Sequence, residues 1–194
     1  MNKGKIIVIA APSGCGKSTI INALTAEGDL NLGFSVSATT RPMRPGEQHG
    51  VNYYYMTQQA FRDAIAEGEF VEYEEVYPGC FYGTLRSEID RITGEGHNII
   101  LDLDVNGALN LKRIYGAGCL ALFIMPPGID ELRRRLESRG TETQQKIDER
   151  MSRAEYEISQ APKFDVSIVN DDLLTAVRQT RNVVDGFIGL GINR

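Results

Sequence analysis

The chain has 194 residues, room for one α/β domain with excursions rather than two independent domains. It is 42% apolar and 24% charged, with a formal net charge of -5 at pH 7. That balance suits a globular protein and argues against a sequence-independent grip on nucleic acid, which needs a basic face. It leaves room for a small anionic substrate, because a few arginines in one cleft reverse the local field.

The start, Met1-Asn2-Lys3-Gly4-Lys5, runs straight into an apolar stretch at 6–11. That stretch is too short for a signal-peptide core with a cleavage site or for a bilayer span, and no later run is long enough either, so no membrane partner is expected. Rich in Ile and Val and apolar throughout, it predicts a strand buried on both faces, as in a parallel sheet. A helix-like stretch follows at 17–26. Between 34 and 82 the alternation breaks. Tyrosines cluster there, and Gly, Pro and Arg mark turns. Strands are predicted at 53–56 and 71–76, and the end of a helix at 63–68, together a small, mostly antiparallel insertion. Alternation then resumes: helix 87–93, strand 98–103, strand 120–125, helices 129–139 and 146–160, strand 166–169, helix 173–187. Strand–helix alternation predicts a doubly wound parallel sheet of the α/β class. Cys15, Cys80 and Cys119 are scattered and odd in number, which suggests a reducing, cytoplasmic compartment. Two histidines, His49 and His97, are too few for a metal centre and read as loop residues.

The strongest local signal is Ala11-Pro12-Ser13-Gly14-Cys15-Gly16-Lys17-Ser18-Thr19, which follows a strand and opens a helix. Gly14 and Gly16 let backbone N–H groups converge on a phosphate without Cβ obstruction, and the helix N-terminus adds positive potential. Lys17 reaches β- and γ-phosphates, and Ser18 offers a hydroxyl to Mg²⁺. Ala11 stands where this motif usually has its first glycine, a position that tolerates a methyl group if its φ is negative. Cys15 lies near the same helix N-terminus, where a thiol pKa can fall, although a filler role is the plainer reading.

Asp102 and Asp104 close the strand at 98–103 and, two apart, are expected on one side of it. Ligands of open α/β sheets bind at that strand end, and a neighbouring Mg²⁺ would meet the two acids. An N-cap role would account for one of them. Arg133, Arg134, Arg135 and Arg139 crowd one helix, and Arg150 and Arg153 the next. This pattern suits a phosphoryl-transfer site and, equally, a solvated helix balanced by Glu131, Glu137 and Glu149. In the insertion, Arg41 and Arg44 with Tyr53 and Tyr82 would make a clamp for a phosphate monoester if they converge.

Together these stretches resemble the guanylate kinase family over nearly the whole chain. Ser37-Ala38-Thr39-Thr40-Arg41-Pro42-Met43-Arg44 and Tyr82-Gly83-Thr84 carry most of the specificity, alongside Gly46-Glu47, Phe70-Val71-Glu72, Leu101-Asp102-Leu103-Asp104, Leu136 to Glu142 and Ile168 to Asp172. The resemblance implies a P-loop core (1–34, 87–130 and 160–194), a GMP-binding insertion (35–86) and a helical lid (131–159). It implies an enzyme that converts ATP and GMP to ADP and GDP with Mg²⁺, dGMP being a further possible acceptor. It assigns Ser37, Glu72, Thr84 and Asp104 to guanine, Arg41, Arg44, Tyr53 and Tyr82 to the GMP phosphate, and Lys17, Arg135, Arg139 and Arg150 to the moving phosphoryl group. Asp102 joins Ser18 as a metal ligand, and Asn170 matches a residue near the adenine of ATP. The departures are Ala11, the loop 78–81, and Asn106 where Gln is commoner. Monomer and homodimer both remain open.

Base chemistry agrees with the resemblance. Guanine presents N1–H and an amine to a carboxylate such as Glu72, and O6 to hydroxyls such as Ser37 and Thr84. AMP lacks the N1 proton and would leave a buried carboxylate unpaired. Two rivals are a kinase for another nucleoside monophosphate and a non-catalytic guanylate-kinase-like module that binds a phosphorylated protein. The Glu72 and Thr84 pairing disfavours the first. Retention of Lys17, Ser18, Asp102 and the lid arginines disfavours the second.

Overall fold

A computed structural model describes residues 3–33, 35–138 and 143–189. In chain order the first half contains β1 (Ile6–Ala10), α1 (Lys17–Ala26), β2 (Ala38–Thr39), β3 (Tyr54–Tyr55), α2 (Gln58–Ala66), β4 (Phe70–Tyr77), β5 (Cys80–Leu85) and α3 (Arg86–Gly94). The second half contains β6 (Ile99–Asp102), α4 (Val105–Tyr115), β7 (Cys119–Met125), α5 (Ile129–Glu137), α6 (Gln144–Ser159), β8 (Val166–Val169) and α7 (Leu173–Ile188). The chain divides into two compact units. One holds Lys5–Leu32 and the chain from Ile100 onward, and the other holds Gly33–Ile99 with the short stretch before Lys5.

The larger unit is built on a parallel sheet of order β6-β1-β7-β8. All five residues of β1 are buried, as are six of the seven in β7, which explains why both sequences are apolar without alternation. Ile7, Ile9, Leu122 and Ile124 join Ile20 and Leu24 of α1 and Leu132 and Leu136 of α5 in one apolar core. Helix α4 lies on β1 and β7, α1 pairs with α7, and α5 pairs with α6. The chain leaves β1 into residues 11–16, β6 at Asp102 and β8 into Asn170, so three strand ends supply functional candidates.

The smaller unit has a four-stranded sheet of order β3-β2-β5-β4. Two of its three pairings are antiparallel, and β2 with β3 is parallel. Its core is aromatic: Phe61 of α2 stacks on Phe70 at 4.3 Å and on Phe81 at 5.4 Å between ring centroids. Glu88, only 2% exposed, is satisfied by the Val36 N–H, the Tyr54 hydroxyl and the Arg91 guanidinium. The expected insertion 35–86 lies within this unit, which also takes in α3.

Three readings need amendment. The strand expected at 53–56 shortens to Tyr54–Tyr55. Helix α4 and the short strands β2 and β5 were not anticipated. Asp104 is not on a strand: β6 ends at Asp102, and Asp104 is the N-cap of α4, its Oδ1 accepting from the Gly107 N–H at 2.8 Å. The two acids therefore do not share a strand face, because the backbone turns into the helix between them. No helix among the described residues is long and apolar enough to cross a membrane.

Candidate active site

The phosphate cradle is set by backbone conformation. Gly14 and Gly16 hold φ of 93° and 80°, in the left-handed region that favours glycine. Ala11 is not strained, since Asn31 is the only described non-glycine residue with positive φ. Helix α1 starts at Lys17 with Gly16 as its N-cap, no side-chain cap and no acid in its first turn. Its first N–H groups and its dipole are thus left open to an anion. A cavity of about 600 Å³ lies over this turn, lined by residues 11–19 and 102–104 with Arg150, Arg153 and Glu157.

Charges in the cavity are paired. Lys17 Nζ meets the Asp102 carboxylate and donates to the Leu103 carbonyl at 3.0 Å. Arg150 donates to Ser13 Oγ at 2.9 Å. Arg153 donates to Glu157 at 3.0 Å and lies 3.8 Å from Asp104 Oδ2. Ser18 and Thr19 are exposed. No group of three or more His, Cys, Asp or Glu side chains among the described residues forms a metal cage. The Asp102 carboxylate and the Ser18 hydroxyl on this cavity fit Mg²⁺ instead, which takes few protein ligands and shares phosphate oxygens.

Behind the cavity, Arg135 of α5 donates to Glu131 at 2.8 Å and to the Asn170 carbonyl at 3.1 Å. Arg134 shares Glu131, and hydrogen bonds from Arg134 and then Arg135 hold the Glu131 carboxyl down to about 2. Arg133 ties α5 to α6 through Asp148 at 2.8 Å. These arginines carry carboxylate partners, as the balanced-helix pattern expects. Arg139 lies outside the described residues.

Asn170 is 5% exposed, and its Nδ2 donates to the Cys15 carbonyl at 2.8 Å. The Cys15 thiol is 1% exposed. Burial pushes its pKa up to about 12, with Arg135 pulling the other way, so burial overrides the expected effect of the helix N-terminus.

In the smaller unit three of the four clamp residues, Arg41, Tyr53 and Tyr82, come together. Arg41 sits over the rings of Tyr53 and Tyr55, 5.4 and 5.8 Å from their centroids. Tyr82 hydrogen-bonds to Arg41, and its ring packs on Tyr53 at 5.9 Å. Arg41 makes a two-point contact with Glu47, at 3.0 and 2.8 Å. Glu47 also accepts from the Arg44 N–H at 2.7 Å and the Tyr55 hydroxyl at 2.8 Å. Arg41 first, with the Arg44 N–H, holds the Glu47 carboxyl down to about 2. The Arg44 side chain is exposed and does not join the cluster. Further along the sheet, Glu72 of β4 faces Thr84 of β5 in register, and Thr84 Oγ1 donates to Glu72 Oε1 at 2.6 Å. Ser37 directly precedes β2, half-buried.

Sequence reasoning overlooked Glu47, Tyr55 and Glu157 as site residues and treated Arg153 only as part of a basic helix. The signals were faint: Arg41, Arg44 and Glu47 at spacing three, and Arg153 and Glu157 one helical turn apart.

The guanylate kinase family model matches residues 3–186. A guanylate kinase of Bacteroides fragilis is 52% identical over 97% of this chain and 92% of its own length. One from Porphyromonas gingivalis is 51% identical over 95% of this chain and 98% of its own. The crystal structure of guanylate kinase from Anaplasma phagocytophilum superposes with a TM-score of 0.64 at 29% identity, over 97% of this chain and 88% of that one. Coverage of nearly the whole chain by the family model and by relatives about half identical establishes that the chain belongs to the guanylate kinase family.

Proposed function

We infer that this protein transfers the γ-phosphoryl group of ATP to GMP, giving ADP and GDP, as an enzyme of purine nucleotide metabolism. The observation that carries the reading is the cavity in which Lys17, Ser18, Asp102 and Arg150 surround the open N-terminus of α1. The family membership supports it.

In this reading the N–H groups of residues 13–19 cradle the ATP phosphates. Lys17 exchanges Asp102 for phosphate oxygens. Arg135 and Arg150 neutralise charge spreading over the transferred group, with Arg139 assigned to the same task. Ser18 and Asp102 would hold Mg²⁺, which screens phosphate charge when bound. The 131–159 segment serves as lid and the 35–86 insertion as GMP site. There Arg41, Tyr53 and Tyr82, with Arg44 from the surface, take the phosphate of GMP. Glu72 accepts from guanine N1–H and the 2-amine. A hydroxyl has one proton, and Thr84 gives its proton to Glu72. Ser37 is therefore the better donor to O6, and Thr84 orients the carboxylate. The 2′-hydroxyl has no assigned partner, so dGMP fits the same contacts. The reduced cysteines suit a cytoplasmic enzyme.

A coupled assay for ADP with ATP, Mg²⁺ and each of GMP, AMP, CMP, UMP and dTMP tests the reading. Turnover is expected with GMP well above the rest. No turnover with GMP, or equal turnover with AMP, would overturn it.

A further inference from the structure

We propose that Asn170 is a positioning residue for the phosphate cradle, acting through its side-chain amide on the Cys15 carbonyl rather than through the base of the nucleotide. This rests on the reading of residues 11–19 as the ATP phosphate site.

The geometry is specific. Asn170 follows β8, and its own N–H donates to the Met125 carbonyl at 2.8 Å, which fixes its backbone to the end of β7. Its side chain is buried, and Nδ2 meets the Cys15 carbonyl at 2.8 Å across 155 residues of sequence. A peptide unit is planar and trans, so its C=O and N–H point in opposite directions. Holding the Cys15 carbonyl towards Asn170 aims the Gly16 N–H of the same peptide away from Asn170. Gly16 is itself a lining residue of the cavity.

Glycine at position 16 serves this contact as well as the left-handed turn. A Cβ there would lie 2.6 Å from Asn170 Nδ2, too close for the amide to keep its place. The Asn170 carbonyl also accepts from Arg135 at 3.1 Å. One residue thus fixes both the cradle and a lid arginine. The N–H given to the Cys15 carbonyl acts on every ligand that carries the triphosphate, whatever its base.

The test separates phosphate from base. Asn170→Asp sets an acceptor against the Cys15 carbonyl, and Asn170→Ala leaves that carbonyl unpaired. KM for ATP and the inhibition constant of inorganic tripolyphosphate are expected to rise by the same factor, about tenfold, with KM for GMP unchanged. A rise for ATP with tripolyphosphate unaffected would show base contact and overturn the proposal, as would no change in either. If neither variant folds, the wild-type protein decides by NMR of the Asn170 side-chain amide. Protection from exchange in the free protein, and the same resonance with ATP as with tripolyphosphate, support the proposal. A resonance that moves only with ATP overturns it. A wild-type protein that binds tripolyphosphate yet fails to phosphorylate GMP would remove the functional reading and leave this one testable.

Discussion

Thr84 and Glu72 face each other across β5 and β4, and the threonine hydroxyl donates to the glutamate carboxylate at 2.6 Å. The bond orients the half-buried carboxylate. A carboxylate offers about four lone-pair sites, so the threonine donor is compatible with acceptance from the adjacent N1–H and amine of guanine.

Glu72→Gln keeps the size of that side chain and replaces one acceptor oxygen with a donor. The kcat/KM for GMP is expected to fall by about 2–3 kcal/mol, roughly 30- to 150-fold, the scale of a lost charge-assisted hydrogen bond with an unmet group. AMP offers N1 as an acceptor and should suffer much less. The ratio of GMP to AMP, measured in both proteins, is the readout. An unaltered ratio would remove Glu72 from base recognition.

Lys17 rests on Asp102 and the Leu103 carbonyl in the free protein. Lys17→Ala should fold normally, because its ion-pair partner Asp102 is 44% exposed and is not left as a buried charge. Its kcat should drop on the order of a hundredfold or more, about 3 kcal/mol of lost transition-state stabilisation. Circular dichroism checks the fold and steady-state kinetics the rate. Near-normal turnover in a folded variant would refute the role given to the lysine.

Glu47 is the anion on which Arg41 is mounted. Its pKa falls from the ordinary 4.5 to about 2 on folding, chiefly through Arg41. The stabilisation is therefore full above pH 4.5 and is lost as the pH falls through about 2. Urea melts of the wild type and Glu47→Gln should show a constant stability gap above pH 5 that narrows from about pH 4.5 downward. Glu47→Gln should also raise KM for GMP more than it lowers kcat, because it loosens Arg41, the arginine proposed to take the phosphate of GMP. A gap that widens in acid would contradict the ion pair.

Cys15 and Cys119 are buried, and burial raises both thiols to about 12. Cys80 is partly accessible. Maleimide at neutral pH is expected to label Cys80 first, with Cys15 and Cys119 reacting only on unfolding, as mass spectrometry of tryptic peptides would show. Fast labelling of Cys15 would revive a redox role for the cradle.

Much of this protein was legible in its sequence. The runs at 6–10 and 119–125 are buried on both faces, so they must be apolar at every position, and that leaves an unmistakable signature. The turn at 14–16 needs two positive φ values, and glycine is the residue that adopts them without strain. These requirements are local, and local requirements are written in consecutive residues. Tertiary structure alone decided what depends on distant pairs. Asn170 meets Cys15 because β8 and β1 run parallel in one sheet and finish at the same end of it, although the two residues are 155 apart in sequence. Glu47, read only as part of a motif, becomes the seat of Arg41 once the Tyr53 and Tyr55 rings enclose the guanidinium. Asp104 leaves the strand because the chain turns after Asp102 and the new helix needs a cap. A hydrogen bond between remote residues constrains the two side chains only jointly, and one sequence read along its length carries no record of which pairs the fold will bring together.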